Sequence, residues 1–188
     1  MINFSHLKYP PIKQKQMPRF LIFNAPHDSR YDGCKKYMAF STEKKKFCGN
    51  MFCRPGYIFI EGEPINSMCI TELYSYGKVK GTGTALLDFA RTLSKKNGCG
   101  GRFHLVASTC WAPERAPHIF YRKYGMNSGN IKKDKEMDEF IKKGTYASKL
   151  DFYNLLMFYP PIKYPTPKTF KEKLRDIFYK AIDFILEK

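Results

Sequence analysis

The feature that most constrains this chain is the run Lys78-Val79-Lys80-Gly81-Thr82-Gly83. An extended stretch, Met68-Cys69-Ile70-Thr71-Glu72-Leu73-Tyr74, precedes it. Thr84-Ala85-Leu86-Leu87-Asp88-Phe89-Ala90 comes directly after it. The order is strand, basic glycine loop, helix. A helix start aims unpaired backbone N–H groups at one spot, and the helix dipole adds positive potential there. An anion, most often a phosphate, suits that spot. Glycine lets the backbone approach such a ligand closely, and Lys78 and Lys80 add formal charge. The spacing is neither that of a P-loop nor that of a three-glycine dinucleotide loop.

The surrounding pattern predicts alternating strands and helices. Arg19 to Ala25, Cys34 to Ser41, Tyr57 to Glu61 and Ser67 to Tyr74 read as strands. Turns are expected at Pro26 to Gly33, at Thr42 to Gly49, at Arg54-Pro55-Gly56 and at Gly62 to Asn66. A helix runs from about Thr82 to Lys96, with Leu86, Leu87, Phe89, Ala90 and Leu93 on one broad face. Lys95 and Lys96 suit its end, and Asn97-Gly98 stops it. A strand at Phe103 to Ala107, a helix from about Glu114 to Tyr124, an extra helix at Asp134 to Lys143 and a last strand at Asn154 to Tyr159 complete residues 1–165. Residues 1–17 form a basic, proline-punctuated arm. Residues 166–188 read as an amphipathic helix, with Thr169 and Glu172 as a capping box and Phe170, Leu174, Ile177, Phe178, Ala181, Ile182 and Ile185 as its apolar stripe. Such a helix packs on its own domain, on a partner subunit or on a membrane surface; the mixed charges of its polar face favour packing on protein, and a homodimer is one partner assembly expected.

The glycine loop and the helix it opens resemble the acetyl-CoA-binding segment of the GNAT superfamily of N-acetyltransferases. That family carries Arg/Gln-x-x-Gly-x-Gly/Ala at the end of a strand and the start of a helix. Here Lys78 stands at the Arg/Gln position, and Gly81 and Gly83 match. A second block, Ala116-Pro117-His118-Ile119-Phe120-Tyr121-Arg122-Lys123-Tyr124-Gly125-Met126, is similar to the family's second helix. One strand, Arg102 to Ser108, separates the two blocks. Glu114 falls where the family often has an asparagine that contacts the cofactor arm, and Pro117 where it has a small residue.

The resemblance implies an α/β (α+β) fold with a mixed, mostly antiparallel central sheet flanked by helices, here with an additional C-terminal amphipathic helix. It implies an acetyl-CoA-dependent acyltransferase that acetylates a primary amine by direct transfer, with acetyl-CoA as co-substrate and no metal. In that reading Lys78, Val79, Lys80, Gly81, Thr82, Gly83 and Thr84 hold the diphosphate. The backbone of Leu73 and Tyr74 pairs with the pantetheine arm as an added strand would. Tyr121 is the general acid that protonates the departing sulfur. Taken alone, Tyr121 is one of 13 tyrosines; its neighbours give it the role. The general base is open between Glu72, Glu114 and a water chain. Strict alternation places Ser67, Cys69, Thr71 and Leu73 on one face of their strand and Glu72 on the other, unless a bulge changes the parity. Cys110 and His118 admit a Cys–His nucleophile, but no orienting acid accompanies them.

Composition bounds the remaining classes. With 188 residues, 43% hydrophobic and 16% aromatic, the chain can bury one proper core. It has no apolar run long enough to span a bilayer, and residues 1–19 lack the apolar core of a secretory signal, so a cytoplasmic protein is expected. Six cysteines at no zinc spacing fit free thiols in a reducing compartment. The net charge of +16 favours polyanions. The cations are mostly dispersed lysines, without the aromatic interleaving of an RNA platform, so nucleic acid is not the favoured partner. The rival to an enzyme is a degenerate acetyltransferase fold that holds RNA or a ribosome on its basic surface.

Overall fold

The computed structural model describes residues 18–26, 31, 33–76, 79–108, 117–144 and 154–164. Six strands and three helices are described, in the order β1 (Phe20–Asn24), β2 (Lys35–Ser41), β3 (Lys46–Ile60), β4 (Glu63–Ser75), α1 (Thr82–Lys96), β5 (Phe103–Ser108), α2 (Pro117–Tyr124), α3 (Ile131–Lys143) and β6 (Asn154–Tyr159). The strands form one sheet in sequence order. Every neighbouring pair is antiparallel except β4 and β5, which are parallel across the α1 crossover. This is the mixed, mostly antiparallel sheet that the resemblance implies. The basic arm of residues 1–17 and the tail helix of residues 166–188 lie outside the described residues.

One face of the sheet carries the core. Tyr37, Ala39, Met51, Met68, Ile70, Phe103, Leu105, Ala107 and Met157 belong to it, and α1 and α2 supply Leu86, Leu87, Ala90, Ile119 and Tyr121. The helices meet each other directly, because the Tyr124 hydroxyl of α2 donates to the Asp88 carboxylate of α1 at 2.8 Å. Helix α3 packs on α2. Arg122 donates to both oxygens of Asp138 at 2.7 and 2.8 Å. The planar guanidinium fork favours that two-point geometry. Asn130 caps α3 by accepting from the Lys132 and Lys133 amides, and Gly144, at φ 64°, ends it.

Two expected turns prove to be strand. Lys46–Ile60 is one continuous strand through Pro55 and Gly56. Beyond Cys53 the β2 partner has ended, so β3 has an open edge there among the described residues. A proline that cannot donate to a ladder is tolerated at such an edge. Likewise the turn between β3 and β4 is only Glu61-Gly62, both with positive φ (55° and 89°), which is the twist that two-residue hairpins need. Pro64 to Asn66 already belong to β4.

Gly49, expected in a turn, sits inside β3 and sets how close α1 can come. A Cβ there would lie 2.6 Å from the Tyr74 carbonyl oxygen and 2.6 Å from the Thr82 methyl group. The first of these is backbone and cannot swing aside. Gly49→Ala is therefore expected to cost about 2 kcal/mol, in the range of an overpacked core, and to lower the melting temperature by roughly 4–8 °C. A calorimetric scan of the variant checks this; an unchanged melt would show that α1 can retreat at no cost.

Candidate active site

The candidate site starts where β4 and β5 part. These strands pair at only three positions, Met68↔Phe103, Cys69↔His104 and Ile70↔Leu105. Each then continues: β4 to Ser75 and β5 to Ser108. Beyond Ile70 and Leu105 the facing edges have no pairing with each other, which leaves a wedge in the sheet. Backbone groups in such a gap need partners, and a linear ligand with amide groups could supply them as an inserted strand.

A bulge redirects the side chains along this edge. Phe52 pairs with Glu72 and Cys53 with Ile70, so Thr71 is the extra residue. Leu73, opposite the buried Met51, packs against the helix-side core. Glu72 shares the other face with Phe52 and Cys69, the partner of Arg54. The strict alternation expected from sequence is thus corrected: Leu73 and Cys69 lie on opposite faces, and Glu72 joins Cys69. The Tyr74 hydroxyl lies 3.5 Å from a Glu72 carboxylate oxygen.

The glycine loop closes on itself at the end of β4. Thr82 is fully buried; its hydroxyl donates to the Val79 carbonyl at 2.8 Å. Val79 is buried as well, while Lys80, Gly81 and Thr84 are exposed. Gly81, at φ 91°, is the residue before α1 and provides no side-chain cap, and no acidic residue stands in the first turn. The amides of Gly83 and Thr84 therefore face a site of positive potential. The two glycines differ in role. Gly81 needs its left-handed backbone. At Gly83 an added Cβ would meet the Phe120 ring at 2.8 Å, so its bareness lets α2 close on α1. Lys78 and Glu114 lie outside the described residues, as does Cys110.

Arg19 is a residue that local sequence patterns do not connect with the loop. Its guanidinium lies 3.7 Å from where a Gly81 side chain would begin, beside the Phe20 ring, with a 3.6 Å ion pair to Glu43. No local signal could reveal it, because strand β1 brings it across some sixty positions of chain. Next to the loop is a cavity of about 280 Å³ lined by Thr84, Phe120, Lys123 and Tyr124.

Tyr121 belongs to the same buried cluster as Ile70 and Ala107, against which Leu73 also packs. Burial pushes its phenol up to about 12, so it is protonated throughout the neutral range. Burial also lowers the pKa of His104 and of His118. The His104 ring nitrogen Nδ1 is 2.9 Å from the Ser67 hydroxyl. Burial, and secondarily the Asp88 carboxylate, raises Tyr124. Cys34, Cys48, Cys53, Cys69 and Cys99 are free thiols; burial pushes Cys53 up to about 12, which keeps it unreactive. Among the described residues no group of three or more His, Cys, Asp or Glu is placed to hold a metal, and no helix is long and apolar enough to cross a membrane.

No family model matches the chain, and no curated protein does. Solved structures do. One is a mutant of the AtaT toxin bound to the C-terminus of the antitoxin AtaR and acetyl-CoA, at 11% identity and a TM-score of 0.45, covering 76% of this chain and 94% of that one. Another is Arabidopsis thaliana NAA60 in complex with a bisubstrate analogue, at 10% identity and a TM-score of 0.42, covering 72% and 84%. A third, from Bordetella pertussis, is assigned to the GnaT-family acetyltransferases, at 9% identity and a TM-score of 0.32, covering 69% and 66%. Likeness of this degree assigns neither an activity nor a substrate.

The raised phenol gives a measurable signature. Above pH 10 an unfolded Tyr121 loses its proton while the folded one keeps it, so its contribution is intact below pH 10 and declines as the pH rises toward 12. For a shift of this size the loss approaches about 2–3 kcal/mol. Urea unfolding between pH 9 and 12 should show a shallower decline in Tyr121→Phe than in the native chain. The histidines act in the other direction: their lowered pKa values make stability fall as the pH drops below about 6.5.

Proposed function

We propose that this chain is an acetyl-CoA-dependent N-acetyltransferase that moves an acetyl group directly to a primary amine. The observation that carries this reading is the early end of the β4–β5 pairing beside an uncapped, glycine-led helix start. A thioester carrier with a diphosphate at one end and amides along its arm needs both features together. The pantetheine amides would pair with the backbone of Leu73 and Tyr74 along the β4 edge that faces the gap. The diphosphate would take the amides of Gly81, Gly83 and Thr84, with Lys80 and Arg19 as counter-charges. Lys78, Val79 and Thr82 complete the loop, the last two from buried positions that fix its shape.

The chain's own groups then divide the proton traffic. The acceptor nitrogen must be neutral to attack the thioester carbonyl, so its proton passes to a base. Glu72, on the face of β4 opposite the helices, is the described candidate, directly or through water. A backbone N–H near Leu73 steadies the developing oxyanion. As the carbon–sulfur bond breaks, Tyr121 gives its proton to the sulfur and recovers one from solvent. Acid and base lie on opposite faces of the sheet, so the carrier and the acceptor can enter from opposite sides.

Acetyl-CoA at about a hundred times its dissociation constant should stabilise the protein by about 2.7 kcal/mol, which raises the melting temperature by roughly 5–10 °C. Tyr121→Phe should keep that shift and lose on the order of 10²–10⁴-fold in turnover, measured by thiol release over an amine and peptide panel. Unchanged turnover would remove Tyr121 from its role. Absence of any shift, together with salt-dependent RNA binding, would favour the RNA-holding alternative.

A further inference from the structure

The distal half of the β3–β4 hairpin projects past its neighbours. β2 stops at the Lys35↔Cys53 pair, and β5 begins at Met68↔Phe103. Between those limits, and among the described residues, Arg54–Ile60 pairs only with Glu63–Ser67 and the adjoining part of β4. A lone two-stranded ribbon is marginal in water, and this one carries apolar side chains on both faces. Tyr57 and Phe59 stand on one face, 63% and 65% exposed, with their rings edge to face at 5.4 Å. Ile58 and Ile65 pair on the other.

We infer that this arm is a self-association surface, in which a second copy of the chain pairs its arm with the first around a two-fold axis. Charge selects the partner. Each copy carries +16, so two copies repel almost everywhere. Yet no lysine, arginine or histidine occurs between Arg54 and Lys78. The arm is where one such copy can approach another with least repulsion. The two edges of the arm are unequal. The β4 edge bears Glu63 and Pro64, which discourage pairing. The β3 edge, Gly56–Ile60, has neither charge nor proline, and among the described residues no other strand pairs with it. That is the composition that joins strands edge to edge. Pairing two β3 edges antiparallel about Ile58 sets Tyr57 of one copy opposite Phe59 of the other, twice, because side chains on one face recur every second residue. Such an interface is isologous and closes at two copies.

Sedimentation velocity on the full chain over about 1–100 µM, at low and high salt, tests the inference. The native chain should form a dimer, and Tyr57→Ser/Phe59→Ser should raise its dissociation constant at least tenfold. A second variant, Glu61→Lys/Glu63→Lys, changes only exposed residues at the tip. It should weaken the dimer at low salt and recover as salt screens the new charge. Acetyl-CoA thermal shifts on the same samples report folding and the active-site reading separately. A native chain that stays monomeric at 100 µM overturns the inference, as does a dimer that both variants leave within twofold of native affinity.

Discussion

The parting of β4 from β5 is the constraint on which the rest of this molecule depends. Parallel strands joined by a helical crossover normally stay paired along their common length. Here pairing lasts three positions, although both strands run on. Two things keep them apart. The bulge at Thr71 turns Leu73 inward against Met51, which fixes β4 to β3 rather than to β5. The α1–α2 pair, held by Tyr124 on Asp88, packs beneath the split and fills the core side. The gap is therefore built from the packing around it.

Glycine placement decides how the helix end reaches that gap. Gly49 lets the first turn of α1 lie against β3 and the end of β4; Gly83 lets Phe120 seat on α1; Gly81 supplies the left-handed turn between strand and helix. Only the last of these belongs to the anion-binding logic of the loop. The other two are packing requirements that happen to bear on the same helix start. Together they hold its amides beside the Lys80 and Arg19 charges without any side-chain cap competing for the place.

Much of this is legible in the residues, and the rest is hidden for identifiable reasons. The ends of α1 and β6 can be read directly, because a strong period and clear stop signals coincide there. Only the far piece of β3 can be read, because Pro55-Gly56 looks locally like a turn. The end of β2 is what makes a proline harmless at that point, and no local pattern encodes where a neighbour stops. The face of Leu73 is misleading because a bulge leaves no mark in the alternation of Met68 to Tyr74. Arg19 is invisible because its approach to Gly81 is a product of the sheet order.

The cation-free stretch between Arg54 and Lys78 ties these points together. It supplies the arm, the bulge and the wall of the wedge. In the proposed reaction an amine acceptor would arrive protonated, and a surface of net charge +16 would repel it at range. The wall formed by β4 is the exception: its ionisable side chains are Glu63, Cys69, Glu72 and Tyr74, with no lysine or arginine among them. In the proposed reaction the diphosphate of the carrier would neutralise Lys80 and Arg19 and leave the acidic β4 wall as the more attractive approach for a cation. Under that proposal a carrier that bound first would prepare the electrostatics for its acceptor. A free amine that bound before the carrier would have to face the loop cations unscreened.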